Sequence, residues 1–291
     1  MLATLDIQEN VLLQDYTTFG IGGPARYFAE VHSQHHVQEA LQFATRQSIS
    51  FRMIGKGSNA LFDDRGYAGL ILLNKLQGIR WDGNSIVVES GYSFALLGIQ
   101  TAKKGLAGLE FAAGIPGSVG GAVFMNAGAN QQDVSQVITE VGFVDRQGRY
   151  KAYCKKELTF SYRHSSFQTM KGCIVSATLT LQPAEMVRQK QLDSIAYRTR
   201  TQPYGCKSAG CVFRNPPGKS AGALIESAGL KGCRVGGASV SLLHGNFIVN
   251  DAKASAEDVL QLADLVQKKV LQCTGERLEM EVVVIPYQED L

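Results

Sequence analysis

Between residues 34 and 47, the stretch QHHVQEALQFATRQ places Val37, Leu41 and Ala44 on one stripe with a period near 3.6, which predicts an amphipathic helix. Around it the chain switches to short β-rich runs bounded by Gly, Asp and Asn: FRMIG (51–55), GLILL (69–73) and SIVVESG (85–91). SFALLGIQTAKKG (93–105) predicts a helix opened by a serine cap and stopped at a glycine. A glycine-rich tract over 105–128 follows, then a hairpin pattern in VGFVDRQGRYKAY and a long strand in CIVSATLTLQ (173–182).

Pro183 breaks the pattern, and EMVRQKQLDSIAYRTR (185–200) resumes it as a helix. SAGALIESAGLKG (220–232) predicts a capped helix ending at glycine, and SVSLLHGNFIVN (239–250) a strand that would carry His244 as a satisfied core histidine. SAEDVLQLADLVQKKVLQCTG (255–275) carries the clearest helical signal. Ser255 caps it, Asp258 follows three residues on, and Val259, Ala263, Val266 and Val270 form the apolar stripe. LEMEVVVI (278–285) alternates as a strand, with Leu278, Met280, Val282 and Val284 on one face and Glu279, Glu281, Val283 and Ile285 on the other. The fold class is α+β with mixed sheets, in two or three lobes, with no internal repeats.

Composition narrows the function. The 291 residues exceed one modal domain, and 45% hydrophobic with 19% charged residues describes a soluble globular protein. A net charge of +3 is too weak for nucleic acid to be the main partner. The N-terminal MLATLDIQENVLLQDY has the pattern of neither a signal nor a transit peptide, and no run of about eighteen apolar residues predicts a membrane span. Six scattered cysteines (154, 173, 206, 211, 233 and 273) contain no CxxC pair, which argues against zinc and for a reducing cytoplasm. His35 and His36 read as solvated helix surface, so no metal site is expected.

Two glycine-rich stretches carry more. In IGKGSNALF (54–62), Gly55, Lys56, Gly57, Ser58, Asn59 and Ala60 nearly spell a dinucleotide fingerprint. Asp63-Asp64-Arg65-Gly66 then occupy the place of the crossover helix, which rejects that assignment. The loop could gather backbone N–H groups around an anion, or simply turn one strand into the next. GLEFAAGIPGSVGGAVFMNAGA (108–129) is stronger. Gly114, Ile115, Pro116, Gly117, Ser118, Gly120 and Gly121, followed by Asn126, suit close backbone approach to a flat or phosphorylated ligand. Two such loops suggest a long dinucleotide-like cofactor with its pyrophosphate between them.

With these stretches, TTFGIGGPA (17–25), SYRHSSF (161–167), GCVFRNP (210–216), AGALIESAGLKG and LEMEV (278–282) occur in the order found in UDP-N-acetylenolpyruvoylglucosamine reductases, and the chain resembles that family from about residue 16 to 286. The resemblance implies an FAD-binding domain of the vanillyl-alcohol oxidase type over 1–184, in lobes of about 1–70 and 71–184, and a substrate domain over 185–291. It implies FAD as cofactor, NADPH as reductant, and reduction of the enolpyruvyl ether of UDP-N-acetylglucosamine in peptidoglycan synthesis, by a cytoplasmic monomer. Arg163 and Arg198 stand only 35 positions apart, as in the compact branch without an extra substrate-covering loop.

By type alone, Cys211 in GCVFRNPPG is a small buried hydrophobe. By resemblance it stands where the family's proton-donating serine does, Arg163 matches the group that stabilises an enolate, and Glu281 a second catalytic position. Gly55 to Ala60, Gly114 to Ser118, Gly120, Gly121 and Asn126 fall in the family's FAD motifs. Tyr162, Arg214 and Asn215 fall in substrate motifs, with Arg214 in place of the usual lysine. Glu226 either binds substrate or shapes its lobe. Arg188, Lys190, Arg198 and Arg200 either meet the diphosphate or form a solvated helix face. The rival functions are another FAD-dependent sugar or alditol oxidase on the same cofactor domain, and a non-catalytic binder of FAD or UDP-sugar.

Overall fold

Helices open where a serine oxygen takes a free backbone N–H, at Ser93, Ser220 and Ser255 as the sequence predicts and at Ser33 as well. In the computed structural model, which describes residues 5–288, Ser33 accepts from His36 N, Ser93 from Leu96 N, Ser220 from Ala223 N and Ser255 from Asp258 N. At Ser255 the Asp258 carboxylate also reaches back to the cap's own N–H, completing a capping box.

The chain first runs through β1 (Gln8–Leu12), β2 (Pro24–Val31), α1 (Gln34–Arg46), β3 (Phe51–Ile54), β4 (Ala60–Phe62) and β5 (Tyr67–Asn74). Four of these strands form a sheet in the order β1-β2-β5-β3, with β5 parallel to both neighbours. A strand flanked on both sides by parallel partners is buried on both faces, which accounts for the unbroken apolar run in GLILL. Val37, Ala40, Leu41 and Ala44 of α1 pack on Leu70 and Leu72. The first sheet continues to Asn74, past the lobe division expected at about residue 70.

The second lobe contains β6 (Ile79–Asp82), β7 (Ser85–Glu89), α2 (Phe94–Lys103), α3 (Val119–Phe124), β8 (Ile138–Asp145), β9 (Tyr150–Cys154), the short hairpin β10 (Phe160–Ser161) and β11 (His164–Ser165), and β12 (Gly172–Thr180). Its five-stranded antiparallel sheet has the order β9-β8-β12-β7-β6. Ile86, Val88, Leu97, Phe111, Val119, Val123 and Val141 form its core. The glycine-rich tract thus contains a helix, α3, started by the Ser118 cap and held by Val119 and Val123. Helix α4 (Val187–Thr201), the start of the expected substrate domain, packs against α2 and the turn at Glu110–Ala112.

The C-terminal lobe is built from α5 (Ala221–Ser227), β13 (Arg234–Val235), β14 (Ala238–Val240), β15 (Ile248–Asn250) and α6 (Ala256–Thr274), and the chain closes with β16 (Val283–Ile285). Val212, Phe213, Ile225, Val240, Val259, Leu262 and Val266 share its core with Phe19, Ile21 and Leu61 from the first lobe. The single strand expected over 239–250 is instead a hairpin. Ser241 Oγ accepts from Leu243 N and His244 N, a local hydrogen bond that turns the chain and leaves Leu242 77% exposed. His244 therefore lies in the turn rather than on a strand, and its Nδ1 accepts from Asn246 N. The strand expected over 278–285 narrows to β16, which pairs in parallel with β4, Val283 opposite Ala60. The expected alternation also breaks at its end, where Ile285 is buried and Val284 exposed. Among the described residues no helix is long and apolar enough to cross a membrane, and no group of three or more His, Cys, Asp or Glu could hold a metal ion.

Candidate active site

The two glycine stretches meet in space. Ser58 Oγ, in the loop between β3 and β4, donates to the Pro116 carbonyl at 2.7 Å. Behind them lies a cavity of about 630 Å³, bordered by residues 55–60 and 115–118, Gly120 and Gly121, and by Arg163, Cys211 and Glu281. Gly57 has φ +59°, and a Cβ there would run into the Tyr16 carbonyl. Gly121 is different: the nearest protein atom to an added Cβ is Ser118 Oγ at 3.5 Å, and the remaining space is cavity.

Three separate elements bring Arg163, Glu281 and Cys211 together. Arg163 sits at the turn of the β10–β11 hairpin, and its Nε donates to Glu281 Oε1 at 2.7 Å. Glu281 is two residues before β16, so the β4–β16 pairing carries it to the glycine loop. Asn59 donates from its side chain to the Glu281 carbonyl at 3.2 Å, and Val283 N donates to the Asn59 carbonyl at 3.0 Å. Cys211 is fixed from both sides: it bridges Phe247, and the next residue, Val212, accepts at its carbonyl from Glu281 N at 2.7 Å.

The electrostatics follow from burial in this corner. Burial pushes the Cys211 thiol up to about 11, with the Glu281 charge adding to the shift and Arg163 and Arg198 opposing it. Burial also raises the Glu281 carboxyl above its ordinary value, against the pull of Arg163. A thiol so placed stays protonated at neutral pH, despite two guanidinium groups nearby.

Apart from Arg198, the other expected residues lie around this corner rather than in the cavity wall. The Gly114 carbonyl accepts from Arg198 Nη1 at 3.2 Å and from the Tyr204 hydroxyl at 2.6 Å. Asn126 is buried with its amide committed to Ser161 O and Ser135 N. Tyr162 OH accepts from Asn215 N at 3.2 Å, and Asn215 Oδ1 takes the Ala221 N–H at the start of α5. Arg214 donates its backbone N–H to Glu279 O, with its guanidinium 4.0 Å from the Glu279 carboxylate. Glu226 is exposed and paired with Lys231 at 2.7 Å. Of the four basic residues weighed on α4, Arg198 borders the cavity, where burial lowers its pKa. Tyr204 and Gln168 also border the cavity and carried no sequence signal, since neither belongs to a glycine loop or a periodic stripe.

Comparison with known proteins decides the family. Residues 202–285 match the model of the UDP-N-acetylenolpyruvoylglucosamine reductase C-terminal domain, and residues 25–152 that of an FAD binding domain. A UDP-N-acetylenolpyruvoylglucosamine reductase from Protochlamydia amoebophila (strain UWE25) is 52% identical over 96% of this chain and 94% of its own length. That from Chlamydia pneumoniae is 47% identical over 97% and 93%. The chain belongs to the UDP-N-acetylenolpyruvoylglucosamine reductase family. The crystal structure of the reductase from Thermus caldophilus superposes with a TM-score of 0.82 at 37% identity, covering 97% of this chain and all of that one. As a member of the family the protein is an FAD-dependent oxidoreductase on an α+β fold. The cavity fits FAD: two glycine loops tied to each other border a space of the size usual for cofactor sites, and the room beside Gly121 is left open by the protein itself.

Proposed function

We propose that the protein reduces UDP-N-acetylglucosamine enolpyruvate to UDP-N-acetylmuramate for peptidoglycan synthesis, with NADPH as reductant. The observation that carries this reading is the convergence of the Arg163–Glu281 ion pair and a protonated Cys211 on the cavity bordered by both glycine loops. Arg52, Lys56, Arg146, Arg163, Lys171 and Arg198 border the cavity against one carboxylate, Glu281, and this positive excess suits an anionic substrate.

FAD would be held by the loops of residues 55–60 and 115–121 and, once reduced by NADPH, would supply the hydride for the terminal vinyl carbon of the enolpyruvyl group. The vinyl electron pair then moves onto the adjacent carbon and into its carboxylate as an enolate. Arg163 stabilises that growing charge, because a guanidinium stays cationic and can grip a carboxylate with two donors. Glu281 accepts from its Nε and so orients the terminal nitrogens towards the substrate. Cys211 then gives its Sγ proton to the carbon beside the carboxylate, completing the lactyl ether, and the thiolate regains a proton from water. NADPH and the sugar nucleotide occupy the same cleft in turn, which accounts for the lack of a second nucleotide fingerprint. Six free cysteines suit a reducing cytoplasm.

The test is anaerobic. The flavin is reduced with NADPH, the enolpyruvyl UDP-sugar is added, and the oxidised flavin band is followed. Rapid reoxidation with formation of UDP-N-acetylmuramate is expected; a flavin that stays reduced would overturn the reading.

A further inference from the structure

We infer that Gln168 is a positioning residue for Arg163, its amide fastening the arginine's turn to the C-terminal end of α3. The inference rests on the role proposed for Arg163 above.

Arg163 occupies a backbone conformation that needs outside support. It is the second residue of the two-residue turn between β10 and β11, with φ +55°, a left-handed value seldom adopted by residues other than Gly, Asn and Asp. Such a conformation persists where its surroundings over-determine it. Here the surroundings are the end of α3. Phe124 is the last residue of that helix, and its carbonyl is among those left without a partner inside the helix. Ser165 Oγ reaches it at 2.7 Å and Gln168 Nε2 at 3.0 Å. The same Gln168 nitrogen donates to the Arg163 carbonyl at 3.1 Å, so both hydrogens of the amide are used. On the other side of the turn, Asn126 donates to the Ser161 carbonyl at 3.0 Å.

Residues before, at and after the arginine are thus each bonded to one helix end, and Gln168 supplies the bond to Arg163 itself. The opposite end of α3, with Ser118, Gly120 and Gly121, borders the cofactor cavity. Helix α3 therefore spans from the glycine loop to the Arg163 turn, and Gln168 is the link that fixes the guanidinium relative to it. A misplacement of about 1 Å at a reacting group is enough to cost roughly a hundredfold in rate.

The experiment separates the two half-reactions of the holoenzyme in Gln168→Ala, Gln168→Glu and Gln168→Lys. Glutamate keeps the shape without amide hydrogens, and lysine keeps a donor. The alanine and glutamate variants are expected to slow flavin reoxidation by the enolpyruvyl UDP-sugar roughly ten- to hundredfold in its limiting rate. Flavin reduction by NADPH should stay within about twofold, FAD content and melting temperature should be unchanged, and lysine should recover most of the rate. In an Arg163→Ala background, Gln168→Ala should add no further loss. Native reoxidation in Gln168→Ala, equal slowing of both half-reactions, or an additive loss in the double variant would each overturn the inference while leaving the proposed reaction standing. Native reoxidation in Arg163→Ala alone would instead remove the role of Arg163, and this inference with it.

Discussion

Arg163 Nε donates to Glu281 Oε1 at 2.7 Å across 118 residues of chain. The arginine comes from a hairpin turn of the second lobe, and the glutamate from the segment that leads into β16. With side chains 22% and 14% exposed, neither ion is well solvated. Removing one partner leaves a poorly hydrated charge behind, which costs more than the pair itself contributes. The pair thus does two things: it locks the lobes together beside the cavity, and it sets the charge felt by Cys211.

Glu281→Gln keeps the shape and removes the charge. The Cys211 thiol then loses the carboxylate that raises its pKa and keeps the two guanidinium groups that lower it. Its pKa is expected to fall from about 11, and alkylation at Cys211, followed by mass spectrometry at pH 8, to speed up by about tenfold. An unchanged or slower alkylation rate would show that Glu281 does not act on the thiol.

The pH profile of flavin reoxidation carries the same information in the native protein. A donor is competent while protonated, so the rate falls as pH rises through the pKa of the thiol. With Cys211 raised to about 11, reoxidation by the enolpyruvyl UDP-sugar is expected to remain flat past the value of about 8.5 at which an ordinary thiol ionises. Stopped-flow rates between pH 7 and 10 check this, and a decline centred near 8.5 would remove the effect of burial.

Cys211→Ala and Cys211→Ser differ by one donor. The backbone bridge to Phe247 does not use the side chain, so both variants should fold. Alanine is expected to cost roughly a hundredfold or more in reoxidation, while serine, which keeps a hydroxyl, should remain within about tenfold of native. Equal native-like rates in both would return Cys211 to a packing role.

What could be read from sequence tracks how local its cause is. The helices opened by Ser93, Ser220 and Ser255 were legible because each cap adjoins its helix within one segment, and the helix behind Ser33 was legible from its apolar stripe alone. The strand expected over 239–250 failed because one hydroxyl, Ser241 Oγ, outweighs an apolar run that reads as extended. Helix α3 was hidden by glycines that lower helix propensity and is rescued by a cap and by Val119 and Val123 in the core. The glycine stretches were legible as unusual loops, and the structure brings both to the border of one cavity. Arg163, Cys211 and Glu281 were marked only through family motifs, since nothing in their spacing reports a contact made across lobes. The same limit left Gln168 and Tyr204 unseen.

Two glycines, Gly57 and Gly121, separate what the fold needs from what the cofactor needs. At Gly57 the φ of +59° and the nearby Tyr16 carbonyl make a side chain costly to the protein itself, so Gly57→Ala should lower the melting temperature of the FAD-free protein, by more than about 1 kcal/mol in stability. At Gly121 an added methyl meets nothing closer than Ser118 Oγ at 3.5 Å, and it sits in helix α3, where alanine is favoured over glycine by about 1 kcal/mol. Gly121→Ala should therefore leave the FAD-free protein as stable as native or more so, with any change in melting temperature upward by about 2 °C. The same methyl projects into the cavity, and FAD affinity is expected to fall about tenfold, read by flavin fluorescence titration. The opposite signs matter, because a residue kept for the fold cannot gain stability when it is replaced. Native FAD affinity in Gly121→Ala would show that the cofactor does not approach α3, and with that the helix would lose its place as the strut between the flavin and Arg163.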